Sequence, residues 1–113
     1  MSVLGELQPN KVFKYFEEIC SIPHGSRNLQ QISDYLVDFA KAHELKYRQD
    51  EDLNVIIWKD GSKGYEASEP VILQGHMDMV AVKEADCDKD MEKEGLDLEI
   101  NGDYISAKGT SLG

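Results

Sequence analysis

The chain has 113 residues, enough for one small domain. Apolar residues make up 41% of it and charged residues 30%, an ordinary globular balance that excludes the disordered and fibrous classes. Acidic residues outnumber basic ones 22 to 12, and a net charge of -10 repels phosphate backbones and anionic lipid surfaces, so no nucleic acid and no membrane is expected as a partner.

Met1 to Lys11 lacks the basic flank and apolar centre of a signal peptide, and no apolar run approaches the roughly 20 residues needed to span a bilayer, so a cytoplasmic location is expected. Cys20 and Cys87 stand far apart without a Cys-x-x-Cys partner, which fits free thiols in a reducing compartment.

Val12, Phe13, Phe16, Ile19 and Cys20 recur at helical spacing opposite Lys11, Lys14, Glu17 and Glu18, which predicts an amphipathic helix from about Pro9 to Cys20. Pro9 suits its first turn and Pro23 stops it. A second helix is expected from the cap residue Asn28 to near Glu44, because Leu29, Ile32, Leu36, Phe39 and Ala40 line one stripe. The period then changes to two. Leu45 to Gln49, a polar turn at Asp50 to Asn54 and the β-branched run Val55 to Trp58 predict an antiparallel strand pair.

Asp60 to Pro70 reads as a loop, and Val71, Ile72 and Leu73 then form a short continuous apolar run expected to be a central strand covered on both faces. Lys83 to Glu94 is crowded with charge and should be solvated. Leu96, Leu98 and Ile100 alternate up to Asn101-Gly102, a strong hairpin signal, and Tyr104, Ile105 and Ala107 return. Two helices packed on a mixed β-sheet make α/β the expected fold class.

The segment Gln74-Gly75-His76-Met77-Asp78-Met79-Val80 places an imidazole and a carboxylate just past the expected central strand, where ligands of open α/β sheets bind. Residues two apart on extended chain project to the same side, so His76 and Asp78 can reach one site. A neutral imidazole is a good zinc ligand, and a nearby carboxylate can orient its ring. Gly75 would let the chain bend, or be approached closely, just before the His. A bare His-x-Asp is weak, and the surface reading of such a His is the commoner one.

Four blocks together are more specific. Ile19-Cys20-Ser21-Ile22-Pro23-His24, Asn54-Val55-Ile56-Ile57, Val71 to Val80, and Ala107-Lys108-Gly109-Thr110-Ser111-Leu112-Gly113, in this order, resemble the aminoacyl-histidine dipeptidases, also called peptidase D or Xaa-His dipeptidases. The resemblance runs over essentially the whole chain. It implies a cytoplasmic hydrolase, an aminopeptidase-like metallopeptidase with two zinc ions, acting in proteolysis on Xaa-His and other dipeptides. On that reading residues 1-113 are the N-terminal part of its catalytic domain, with a separate lid or dimerisation domain absent.

The family pattern makes His76 a zinc ligand and Asp78 the catalytic residue that assists it. It continues Gly-Thr-Ser-Leu-Gly with Ala-Asp-Asn-Gly, whose Asp bridges the metals, and adds a Glu-Glu pair, a further Asp and a distal His. None of these lies within the 113 residues, so the chain alone is expected to be inactive. The intact parent is expected to be a homo-oligomer, and unpaired sheet edges would let the fragment self-associate. The alternative, from a different class, is a stand-alone acidic α/β interaction module without catalysis.

Other candidates read more blandly. Asp86, Asp88 and Asp90 match the start of a calcium loop, but Met91 replaces the turn Gly and Asp97 the bidentate Glu, so a solvated acidic loop is expected. His24 and His43 are read as structural, the latter near a helix C-terminus where a partly cationic ring suits the dipole. Trp58 is read as core or edge packing, and Phe13, Phe16, Tyr35 and Phe39 as helix core. Lys108-Gly109-Thr110 lacks the glycine spacing of a phosphate loop.

Overall fold

The periodicities resolve into two helices and two hairpins. They are α1 (Asn10–Cys20), α2 (Gln30–Ala42), β1 (Lys46–Gln49), β2 (Val55–Trp58), β3 (Leu98–Asn101) and β4 (Tyr104–Ala107). The computed structural model describes residues 2–113. They form two compact units, one of the residues up to Ile32 with Asp78–Gly113, the other of Ser33–Met77. The α/β class is as expected, with the strands in two small antiparallel sheets, β1-β2 and β3-β4.

In the first unit, α1 starts one residue after Pro9, whose fixed φ suits the N-terminal boundary. The expected apolar stripe begins at Phe13, because Val12 is 60% exposed. Phe13 and Phe16 pack with Leu7, Leu96, Ile105 and Ala107 against the buried cluster Leu4, Cys20 and Leu98. Glu17 ties the N-terminal segment to this helix. Its carboxylate accepts bonds from Ser2 Oγ at 2.6 Å, Val3 N at 2.7 Å and Leu4 N at 3.2 Å. The Ser2 hydroxyl foremost, with those two amides and against partial burial, holds the Glu17 carboxyl below its ordinary range.

The second hairpin sits where alternation and turn chemistry place it. Asn101 pairs with Tyr104, so the loop residues are Gly102 and Asp103, one position on from the expected Asn-Gly pair. Only the first of them has positive φ, 61° at Gly102, which is the requirement of a type II′ turn. The charged stretch before it is largely exposed. Asp90 organises it, accepting from Glu92 N at 3.0 Å through its side chain and from Glu94 N at 2.8 Å through its carbonyl. Lys89, whose side chain is 8% exposed, closes an ion pair of 2.9 Å with Asp97.

In the second unit, α2 presents Val37 and Ala40 as buried residues. Asn28, expected to cap this helix, lies outside it and donates from its side chain to the Glu92 carbonyl at 3.0 Å. Ser33 is fully buried and links helix to hairpin: its hydroxyl donates to the Leu53 carbonyl at 2.7 Å and accepts from Gln49 Nε2 at 2.8 Å. The turn between β1 and β2 is closed by Asp50, which accepts from Asp52 N at 3.0 Å and Asn54 N at 2.9 Å. His43 follows α2, its ring 4.1 Å from that of Phe39 and its Nδ1 2.9 Å from the Phe39 carbonyl. Trp58 packs at an edge, 43% exposed with Lys46 Nζ 4.8 Å from its ring centre.

The expected central strand is a correction. Val71, Ile72 and Leu73 form no strand and are 83%, 89% and 93% exposed. Backbone amides and carbonyls make a strand only by pairing with a neighbour, and among the described residues none of the four strands pairs with this run.

Candidate functional site

The residues after Met77 dock onto the turn that follows α1. Gly25 and Met79 form an isolated parallel bridge. Met79 N donates to the His24 carbonyl at 3.0 Å, and Ser26 N donates to the Met79 carbonyl at 3.1 Å. This pairing needs a glycine, since a Cβ at Gly25 would lie 2.8 Å from the Ala81 Cβ. Met79 is buried, 7% exposed, and anchors the segment. Asp78 is half-buried beside it, and Ser26 Oγ donates to Asp78 Oδ2 at 2.6 Å.

His24 stiffens the turn. It is 3% exposed, with Nδ1 2.7 Å from the Ile22 carbonyl oxygen and Nε2 2.9 Å from the Gly113 backbone oxygen. A carbonyl only accepts, so both contacts are hydrogen bonds when both ring nitrogens carry hydrogen, and a neutral ring satisfies one of them. The structural reading of His24 agrees with this burial. Sequence reasoning missed Ser26 altogether, because nothing local marks a turn serine as the partner of a carboxylate 52 residues away.

His76 is exposed and lies near the end of the Ser33–Met77 unit, whereas Asp78 opens the second stretch of the other unit. Gly75 needs no glycine here, since its φ lies outside the positive range and an added Cβ would meet nothing within 4 Å. The expected bend or close approach at that residue is a correction. Among the described residues no group of three or more His, Cys, Asp and Glu could hold a metal ion. As donors, an exposed imidazole and a carboxylate fit zinc in kind and fall short of the three or four protein ligands zinc sites use.

Asp86 and Asp88 line an open cleft of about 490 Å³ whose wall also carries Lys89 and Lys108. Gly109 and Thr110, the core of the rejected phosphate-loop reading, are engaged in pairing: Glu84 N donates to the Gly109 carbonyl at 2.8 Å, and Thr110 bridges Lys83.

Both cysteines are free thiols. Cys20 is 1% exposed, and burial, with a smaller contribution from the Glu17 charge, pushes its thiol up to about 11. Because the thiolate is the reactive form, iodoacetamide at pH 8 is expected to alkylate the more accessible Cys87 and leave Cys20 until the chain unfolds. Mass spectrometry of the peptides checks this, and equal labelling of both sites would contradict the buried placement.

No family model matches the chain. The cytosol non-specific dipeptidase of Escherichia coli (strain K12) is 38% identical over 113 residues, all of this chain and 23% of that protein. The crystal structure of aminoacylhistidine dipeptidase from Vibrio alginolyticus matches with a TM-score of 0.92 at 36% identity, covering 97% of this chain and 22% of that one. The chain thus spans less than a quarter of the length of either. No helix among the described residues is long and apolar enough to cross a membrane. Over all or nearly all of its length the chain is similar to part of these two dipeptidases, in line with the resemblance its four sequence blocks carry.

Proposed function

We propose that residues 1-113 are the N-terminal part of the catalytic domain of a cytoplasmic zinc dipeptidase that hydrolyses Xaa-His and other dipeptides. The observation that supports this most is similarity, over 100% and 97% of this chain, to part of two dipeptidases by a chain that carries His76 and Asp78. In this reading His76 binds one of two zinc ions through a neutral ring nitrogen, and Asp78 orients that ring and raises its basicity. Zinc, when bound, supplies Lewis-acid polarisation of the scissile carbonyl. The remaining ligands and the general base come from outside these 113 residues. Self-association of the isolated chain is part of the same proposal, because the exposed run Val71 to Leu73 offers backbone groups and apolar side chains to a neighbour.

A protein in which this chain continues to the length of its relatives is expected to cleave an Xaa-His dipeptide, to stop on chelation and to recover with added zinc. The 113-residue chain alone is expected to show no hydrolysis and no submicromolar zinc binding by calorimetry. Hydrolysis by the longer protein that survives exhaustive chelation would reject the metal assignment. Submicromolar binding by the short chain would reject the claim that its ligand set is incomplete.

A further inference from the structure

Asp78 does not sit free at the end of an extended segment. Its Oδ2 accepts a short hydrogen bond, 2.6 Å, from the hydroxyl of Ser26, which is exposed and belongs to the turn after α1. That turn is fixed from several sides. Ser26 N donates to the Met79 carbonyl and Met79 N to the His24 carbonyl, so residues 24 and 26 hold both backbone groups of Met79, the residue that follows Asp78. The His24 ring is buried between the backbone oxygens of Ile22 and Gly113. Asn28 N donates to the Gly25 carbonyl at 2.9 Å, which closes the turn on its other side.

The chemistry of such a contact is directional. A carboxylate offers two oxygens and about four lone-pair directions, and rotates freely about its terminal torsion unless a donor selects one orientation. A hydroxyl held by its own backbone at 2.6 Å from Oδ2 favours one such orientation. A neutral hydroxyl orients a carboxylate by hydrogen bonding without adding a compensating charge of its own.

We infer that Ser26 is a positioning residue for Asp78: its hydroxyl, held by the His24 turn, fixes the carboxylate that in turn orients His76. The inference rests on the dipeptidase reading for its effect on turnover, though the hydrogen bond itself does not. Outer-shell partners of this kind typically change metal affinity or activity by about 10 to 100-fold, and a neutral donor two steps from the ligand belongs at the lower end.

The test compares Ser26→Ala with Ser26→Thr, which keeps the hydroxyl at an exposed position. In the 113-residue chain, the ¹³C signal of the Asp78 carboxyl is expected to move in Ser26→Ala and to stay in place in Ser26→Thr. In the protein continued to the length of its relatives, Ser26→Ala is expected to lower kcat about tenfold with KM unchanged and thermal stability retained, and Ser26→Thr to restore it. A carboxyl signal that Ser26→Ala leaves unmoved, or a kcat that it leaves unchanged, overturns the inference, and so does an equal loss in the threonine variant. Absence of hydrolysis in the unsubstituted longer protein overturns the dipeptidase reading instead, and the carboxyl signal then still decides the bond.

Discussion

Turnover of an Xaa-His dipeptide falls below detection when His76 becomes Ala in a protein that continues this chain, and bound zinc falls with it. The expectation follows from coordination chemistry, because catalytic zinc is held by few protein ligands and loss of one leaves a site that water and buffer can empty. Asp78→Asn is expected to be milder, a loss of about 10 to 100-fold, since an orienting carboxylate acts through the ring and the amide keeps part of its hydrogen bonding. The order of the two effects carries the role assignment. Kinetics and zinc analysis of both variants measure it: unchanged turnover in His76→Ala rejects His76 as a ligand, and an Asp78→Asn protein as empty of zinc as His76→Ala makes Asp78 a ligand as well.

Local chemistry explains which parts of this chain were legible from its residues alone. The helix from Asn10 to Cys20 and the hairpin from Leu98 to Ala107 rest on side-chain periodicity and on a glycine turn, both written within a dozen residues. The run Val71 to Leu73 shows the limit. Its apolar, largely β-branched composition is that of a covered strand, yet whether it becomes one depends on neighbours that composition cannot supply, and here it stays exposed. The candidate site divides in the same way. His76 and Asp78 are visible as a short motif and a family resemblance, whereas Ser26 becomes visible only once Gly25 pairs with Met79 across the fold. Gly75 looked like a backbone requirement, and open space around it shows that it is not one.

Gly95, which no motif marks, is a glycine whose replacement should be costly. A Cβ there would lie 2.4 Å from the Ser21 carbonyl oxygen and 2.7 Å from its carbon, closer than real side chains approach backbone. Rotation cannot relieve this clash, because both partners are main chain. Ser21 caps the end of α1, and Leu96, the residue after Gly95, donates to the Cys20 carbonyl at 2.8 Å. Gly95→Ala therefore has to push the hairpin's entry strand away from the helix end, stretching that bond and loosening the contact of Leu96 and Leu98 with Cys20. Overpacking of this kind costs typically about 1 to 3 kcal/mol, and a lost hydrogen bond adds about 1 kcal/mol. Gly75→Ala is the matched control. With nothing within 4 Å of its Cβ and no positive φ, it is expected to hold stability or raise it by about 0.4 to 1 kcal/mol through a less flexible unfolded chain. Urea unfolding of the two variants side by side measures the difference. Equal midpoints would mean that the helix end and the hairpin do not approach as closely as their backbone contact requires.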